Sequence, residues 1–238
     1  MPTPITLISS MATRQVLAEL AAAYARRSGC EVALESVGGV DAARRVQAGE
    51  PFDAVVLASD ALERLVASGH VVTGSRVDLM RSPVAIAVRS GAPRPDVDSE
   101  AALRRAVQAA RSVGFSTGPS GTHLARLFER WSLAEVLRNR AVMPPPGVPV
   151  GSLVARGEIE LGFQQLSELM HLEGIDVIGT LPQGCDFITT FSAGRCVAST
   201  QADAVRALFH FMASPAADAA KRRFGMEPAV QPTAGDTP

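Results

Sequence analysis

The chain has 238 residues, 47% hydrophobic and 20% charged, enough to bury one large core or the cores of two smaller lobes. A net charge of -1, with no basic run, leaves no electrostatic footprint for nucleic acid or an anionic membrane surface, and no apolar stretch is long enough to span a bilayer. Positive charge is almost all arginine, with Lys221 the only lysine; this reflects either codon bias in a GC-rich genome or a use for planar guanidinium forks that grip carboxylates and oxyanions.

Residues 5–8 predict a short buried strand. It runs into Ser9, Ser10, Met11, Ala12 and Thr13, after which Leu17, Leu20, Ala21 and Tyr24 repeat at helical spacing until Gly29. Alternation over 31–35 predicts a second strand, 36–39 a turn, and 40–47 a short helix stopped at Gly49. Residues 52–57, apolar apart from Asp53, predict a third strand of the kind found in parallel sheets. Ser59 and Asp60 can cap a helix over 61–67, which Gly69 closes. This β-α-β-α-β-α order belongs to a doubly wound sheet, whose ligands bind at the carboxyl ends of strands beside helix N-termini.

Further along, strands are predicted over 83–88, 113–116, 162–165 and 176–179. Residues 187–191 are β-rich, and 196–199 extend the next strand. Helices are predicted over 101–110, 124–131, 151–156, 202–212 and 216–223, with a further one starting at Ser167. Residues 144–149 read as a stiff proline-rich loop, and 228–238 as a disordered tail rich in Pro, Ala, Gly and Thr.

Cys30, Cys185 and Cys196 have neither metal nor redox spacing, and their odd number argues against a disulfide framework. Cys196 reads as a buried inert thiol. The four histidines are scattered, so neither a metal nor a cofactor is expected.

Five stretches carry a resemblance: ITLISSMATRQVLAEL, VGGVDAARRVQAGEPFDAVVLASD, GFSTGPSGTHLARLFERW, VARGEIELGFQQLSEL and AVRALFHFMASPAADAAKRRFGME. Together they resemble the type II periplasmic solute-binding proteins, most closely the molybdate-binding branch, over nearly the whole chain. The resemblance implies an α/β fold of two lobes, each a doubly wound sheet flanked by helices, with two crossing strands as the hinge. Lobe 1 would hold 1–81 and 190–238 and lobe 2 would hold 82–189, with a small anion in the cleft between them.

By motif position, the resemblance assigns ligand contacts to Ser9, Ser10, Met11 and Thr13, to Gly38 and Gly39, to Ser82, to Ser120, Gly121 and Thr122, and to Gln164. Two departures count against molybdate itself. Met11 and Ala12 fall where a serine is usual, and a glutamine replaces the late tyrosine. The residues alone support part of this assignment. Glycines beside a helix start let backbone N–H groups approach an anion, and Ser120 and Thr122 add hydroxyls, although an ordinary helix cap uses the same residues. Arg14 and Arg81 are candidate carboxylate clamps, Arg14 being equally readable as a solvated helix arginine and Arg81 a clamp if it faces the cleft at the crossing. His123 is the plausible proton carrier, set against the usual role of a lone histidine in packing. Gln164 and Gln165 point to opposite faces of a strand, so one of them reaches a ligand.

The opening segment lacks the basic start, long apolar stretch and cleavage site of an export signal, so the chain as given reads as cytoplasmic, and as periplasmic if a signal was removed. The first functional reading is a monomeric binder of a small oxyanion or di- or tricarboxylate, with a permease partner only if exported. The alternative is an isomerase of a small unsaturated polycarboxylate, as in the aconitate-isomerase relatives of this family, with acid-base proton transfer in the same cleft.

Overall fold

In a computed structural model of the chain, residues 3–145 and 147–229 are described. They divide into two compact units, one running up to Arg81 and again from Thr190 onward, the other spanning Ser82–Thr189. The described residues contain no helix long and apolar enough to cross a membrane.

The first unit opens with β1 (Ile5–Ser10), α1 (Arg14–Ser28), β2 (Val32–Val37), α2 (Gly39–Gln47), β3 (Ala54–Ala58) and α3 (Ser59–Ala67). Strand β1 pairs in parallel with both β2 and β3, placing Leu7 opposite Leu34 and Ala54. Strands β4 (Val77–Arg89) and β9 (Ile188–Arg195) run through both units, and β9 lies antiparallel to β3. The unit closes with α9 (Ala202–Ala213), α10 (Asp218–Arg223) and β10 (Glu227–Pro228), the last antiparallel to β4.

Side chains alternate across this sheet, as the period of two requires. Ile5, Leu7, Ala54 and Val56 pack with Leu17 and Leu20 of α1 and with Leu208 and Met212 of α9. Ile8, Val55 and Leu57 pack on the opposite face with Val46 of α2 and with Leu62 and Leu65 of α3. Helices on both faces make the doubly wound layer that the strand-helix rhythm implies. Lys221 is buried, with its ammonium 3.4 Å from Asp218.

The second unit holds the distal half of β4, then α4 (Glu100–Ala109), β5 (Val113–Phe115), α5 (Pro119–Arg130), α6 (Ala134–Leu137), β6 (Ala141–Val142), α7 (Val150–Ala155), β7 (Leu161–Gln165), α8 (Leu166–Leu169) and β8 (Ile175–Thr180). Strand β4 pairs antiparallel with β7 and β8, and β5 pairs in parallel with β6 and β7. One face carries Ile86, Phe163, Leu124 and Phe128; the other carries Ala85, Ala87 and Leu169.

Several boundaries differ from expectation. Strand β1 continues through Ser9 and Ser10, because hydrogen bonding to β2 and β3 outweighs the weak strand preference of serine. Helix α5 starts at Pro119, which puts Ser120, Gly121 and Thr122 in its first turn. The strand ending at Arg195 stops there, and Cys196 makes only an isolated bridge to Val71. Residues 228 and 229 are not loose, since Pro228 lies in β10 and the Ala229 N–H donates to Leu79. The rest of the expected tail, 230–238, and Pro146 of the proline-rich loop lie outside the described residues.

Helix α5 presses on the loop leaving β5. A Cβ at Gly121 would lie 1.6 Å from the Ser116 carbonyl oxygen, so only glycine fits. Gly121→Ala is therefore expected to destabilise the fold by at least about 2 kcal/mol, read as a lower urea midpoint.

Candidate functional site

In the first unit, the carboxyl end of β1 passes through a short 3-10 turn, Met11–Thr13, into α1. Ser9 is fully buried and shares a hydrogen bond of 2.8 Å with the hydroxyl of Ser36 on β2. Thr13 donates to the Ser10 carbonyl at 3.0 Å, which fastens the turn. Ser10 differs: its hydroxyl is buried and has no partner. Gly39 stands beside it at the start of α2, where an added Cβ would lie 3.6 Å from the Ser10 Cβ. Gly38 is the residue before that helix, and Met11 is half-buried. Arg14 is exposed and lines a shallow groove of about 610 Å³ with Glu31, Leu34 and Ser36.

Arg81 sits on β4 opposite Glu227 in the ladder, half-buried, with its Nε buried and unpartnered. Ser82, the first residue of the second unit, is fully buried, with its hydroxyl 3.5 Å from the Pro83 carbonyl.

In the second unit, Ser120 is buried at the start of α5, 3.4 Å from the Ser116 hydroxyl. Thr122 is exposed and returns its hydroxyl to the Gly118 carbonyl at 3.3 Å. His123 stacks on Phe187 with ring centroids 4.5 Å apart, and its Nε2 donates to the Cys185 carbonyl at 3.2 Å. That bond fixes Nε2 as the protonated nitrogen of the neutral ring. Burial pushes the Cys185 thiol up to about 11 and the Cys196 thiol up to about 12, so both stay protonated at neutral pH.

Gln164 and Gln165 end β7 on opposite faces. The Gln165 amide nitrogen donates to Thr189 at 2.7 Å, while its carbonyl oxygen is buried without a partner, as is the Ser167 hydroxyl. On the other face, the Gln164 carbonyl accepts the Gly151 N–H at 3.2 Å, and its amide nitrogen donates to Glu168 Oε1 at 2.8 Å.

Glu168 was not among the sequence candidates. Its residue keeps some surface in water, but its surroundings are dense enough that burial pushes its pKa up to about 7, against the lowering effect of the Gln164 hydrogen bond. Asp176 on the neighbouring β8 is engaged by Arg94 and Ser90. The sequence signal for Glu168 was its spacing, four residues after Gln164 and across the end of an apolar strand.

Each unit is a sheet with helices on both faces and polar residues at strand ends and helix starts, parallel around β1 in the first and mixed in the second. The chain belongs to the family described as bacterial extracellular solute-binding protein, which matches residues 5–227. It is 40% identical over 232 residues to a protein of a Pseudomonas species named aconitate isomerase, covering 95% of this chain and 88% of that one. Among solved structures, the periplasmic molybdate-binding protein of Azotobacter vinelandii superposes with a TM-score of 0.78 at 19% identity, over 96% of this chain and 100% of that chain. The sulfate-binding protein of Mycobacterium tuberculosis superposes with a TM-score of 0.78 at 18% identity, over 97% and 88% of the two chains.

The raised pKa of Glu168 has a stability consequence of definite sign. Its proton is held more tightly in the folded state than at the ordinary value of 4.5, so the stability it contributes is full below that value and is lost as pH rises through about 7. Glu168→Gln removes this dependence. The variant should gain stability relative to the parent between about pH 5 and about pH 8, by up to about 3 kcal/mol, in denaturant melts at the two pH values.

Proposed function

We propose that this chain binds a small di- or tricarboxylate anion and isomerises it, moving the double bond of an aconitate-like acid. The observation that carries the binding half is the placement of its unpartnered polar atoms. Among the described residues, four buried side-chain atoms have no hydrogen-bond partner: Ser10 Oγ, Arg81 Nε, Gln165 Oε1 and Ser167 Oγ. Two of these residues are ligand positions read from the sequence, and the other two follow Gln164 within three residues. Buried polar groups are normally satisfied, and each one left alone costs about 1–3 kcal/mol. A ligand rich in oxygen supplies acceptors for Ser10 and Arg81, and Arg81 adds the charge that suits a carboxylate.

The catalytic half is supported by the 40% identical relative that bears an isomerase name. Aconitate holds a CH₂ group between a carboxylate-bearing alkene carbon and a second carboxylate. Removing a proton there builds negative charge delocalised onto the carboxylates, and preset N–H, O–H and guanidinium donors stabilise that charge. Return of a proton at the former alkene CH moves the double bond. A receptor for a tetrahedral oxyanion is the second reading, favoured by the fold shared with the molybdate- and sulfate-binding proteins; it calls for export and a permease partner. In both readings the chain acts as a monomer.

A thermal-shift screen with cis- and trans-aconitate, citrate, succinate, molybdate and sulfate separates the readings. Aconitate at about 100 times its dissociation constant should add roughly 2.7 kcal/mol of stability and be interconverted between its isomers, as followed by proton NMR. A shift with molybdate or sulfate alone would retire the isomerase. Ser10→Ala should leave the ligand-free protein as stable as the parent or slightly more so, because it removes an unsatisfied hydroxyl, while weakening aconitate binding about tenfold. Unchanged affinity in that variant would remove Ser10 from the site.

A further inference from the structure

We propose that Glu168 is the group that carries the proton in this isomerisation, with Gln164 as its positioning residue. The inference rests on the isomerase reading and names the acid-base group within it.

The geometry begins with Gln164. Its carbonyl oxygen is occupied by the Gly151 N–H at the start of α7, which fixes the orientation of the amide. The amide nitrogen must then face Glu168, to which it donates at 2.8 Å. This donor suits both states of the carboxyl, bonding an oxygen of the carboxylate or the carbonyl oxygen of the acid. Gln164 therefore holds Glu168 in one place through a cycle of proton gain and loss. Only Oε1 is used in this way, and the residue keeps some surface in water.

A second observation points to a ligand at the same turn. Ser167, the residue just before Glu168, is 5% exposed, and its hydroxyl has no partner. The other proton-carrying side chains hold other bonds. The His123 Nε2–H donates to the Cys185 carbonyl, and its ring stacks on Phe187. Cys185 gives its thiol to the Pro182 carbonyl. Burial at Glu168 supports the assignment, because a carboxyl with a pKa of about 7 populates both forms near neutrality, as a shuttle requires.

The step balances without a co-reactant. The Glu168 carboxylate takes a proton from the CH₂ carbon of aconitate. The C–H electron pair becomes the new double bond, and the old π pair moves to the former alkene CH. That carbon takes the proton back from the Glu168 carboxylic acid, so no net proton or electron is exchanged.

The experiment incubates the protein with cis-aconitate in D₂O and follows two signals by proton NMR: the growth of the trans isomer and the loss of the CH₂ proton by exchange. The parent is expected to show both. Glu168→Gln, close in size and shape, should lower both at least about a hundredfold, while aconitate still raises its melting temperature by at least half the parent's shift. Glu168→Asp, which keeps the carboxyl but shortens its reach, should retain measurable exchange. A Glu168→Gln protein that keeps a tenth or more of the parent's exchange and isomerisation would overturn the assignment of Glu168 and leave the isomerase reading intact. A parent that neither isomerises nor exchanges aconitate would overturn the isomerase reading and this inference with it.

Discussion

Strand β4 is the constraint on which both units depend. Its first half supplies Leu79 and Met80 to the core of the first unit, and its second half supplies Val84, Ile86 and Val88 to the core of the second. Its ladder partner changes along the way, from β10 at Met80 and Arg81 to β7 and β8 beyond Val84. A slip of one residue would turn every one of these side chains to the wrong face, in both sheets at once. Arg81, Ser82 and Pro83 lie between these two stretches of the strand.

Polar side chains at the strand ends fall into two groups. Ser9, Thr13 and Ser192 are satisfied inside the protein, by Ser36, by the Ser10 carbonyl, and by Ser59 and Asp78. These bonds tie strands and turns together. Ser10, Gln165 and Ser167 are also buried, yet each has an atom without a partner. Nothing in the packing is gained by leaving such atoms unpaired, and the proposed function assigns them to an incoming oxyacid.

The titratable groups divide in a similar way. The buried thiols of Cys185 and Cys196 are pushed upward by burial and stay protonated, and His123 is tied into a stack and a backbone hydrogen bond. Among the described residues, Glu168 alone combines a raised pKa near neutrality with a hydrogen bond that serves both of its protonation states. Dense surroundings and a single neutral donor produce that combination.

Much of the architecture was legible in the sequence because hydrophobic period and turn residues are local properties. The apolar run before Ser59, the helical repeat of Leu17, Leu20 and Tyr24, and Gly29 at its end each specify an element without reference to distant residues. The end of β1 was not legible, since Ser9 and Ser10 join the strand only because β2 and β3 lie alongside. For the same reason β10 looked like a tail: two residues make a strand only when β4 is there to pair with them. The candidate ligand residues followed from motif position, but which hydroxyls are spent internally and which are left over depends on contacts between residues far apart in the chain. Ser9 and Ser10 are adjacent and identical in type, and only the tertiary structure gives one a partner on β2 and leaves the other without one. Glu168 is the clearest case. Its spacing from Gln164 is legible in the sequence, but its altered acidity arises from burial that outweighs its hydrogen bond from Gln164, whose amide is oriented by Gly151, thirteen residues earlier.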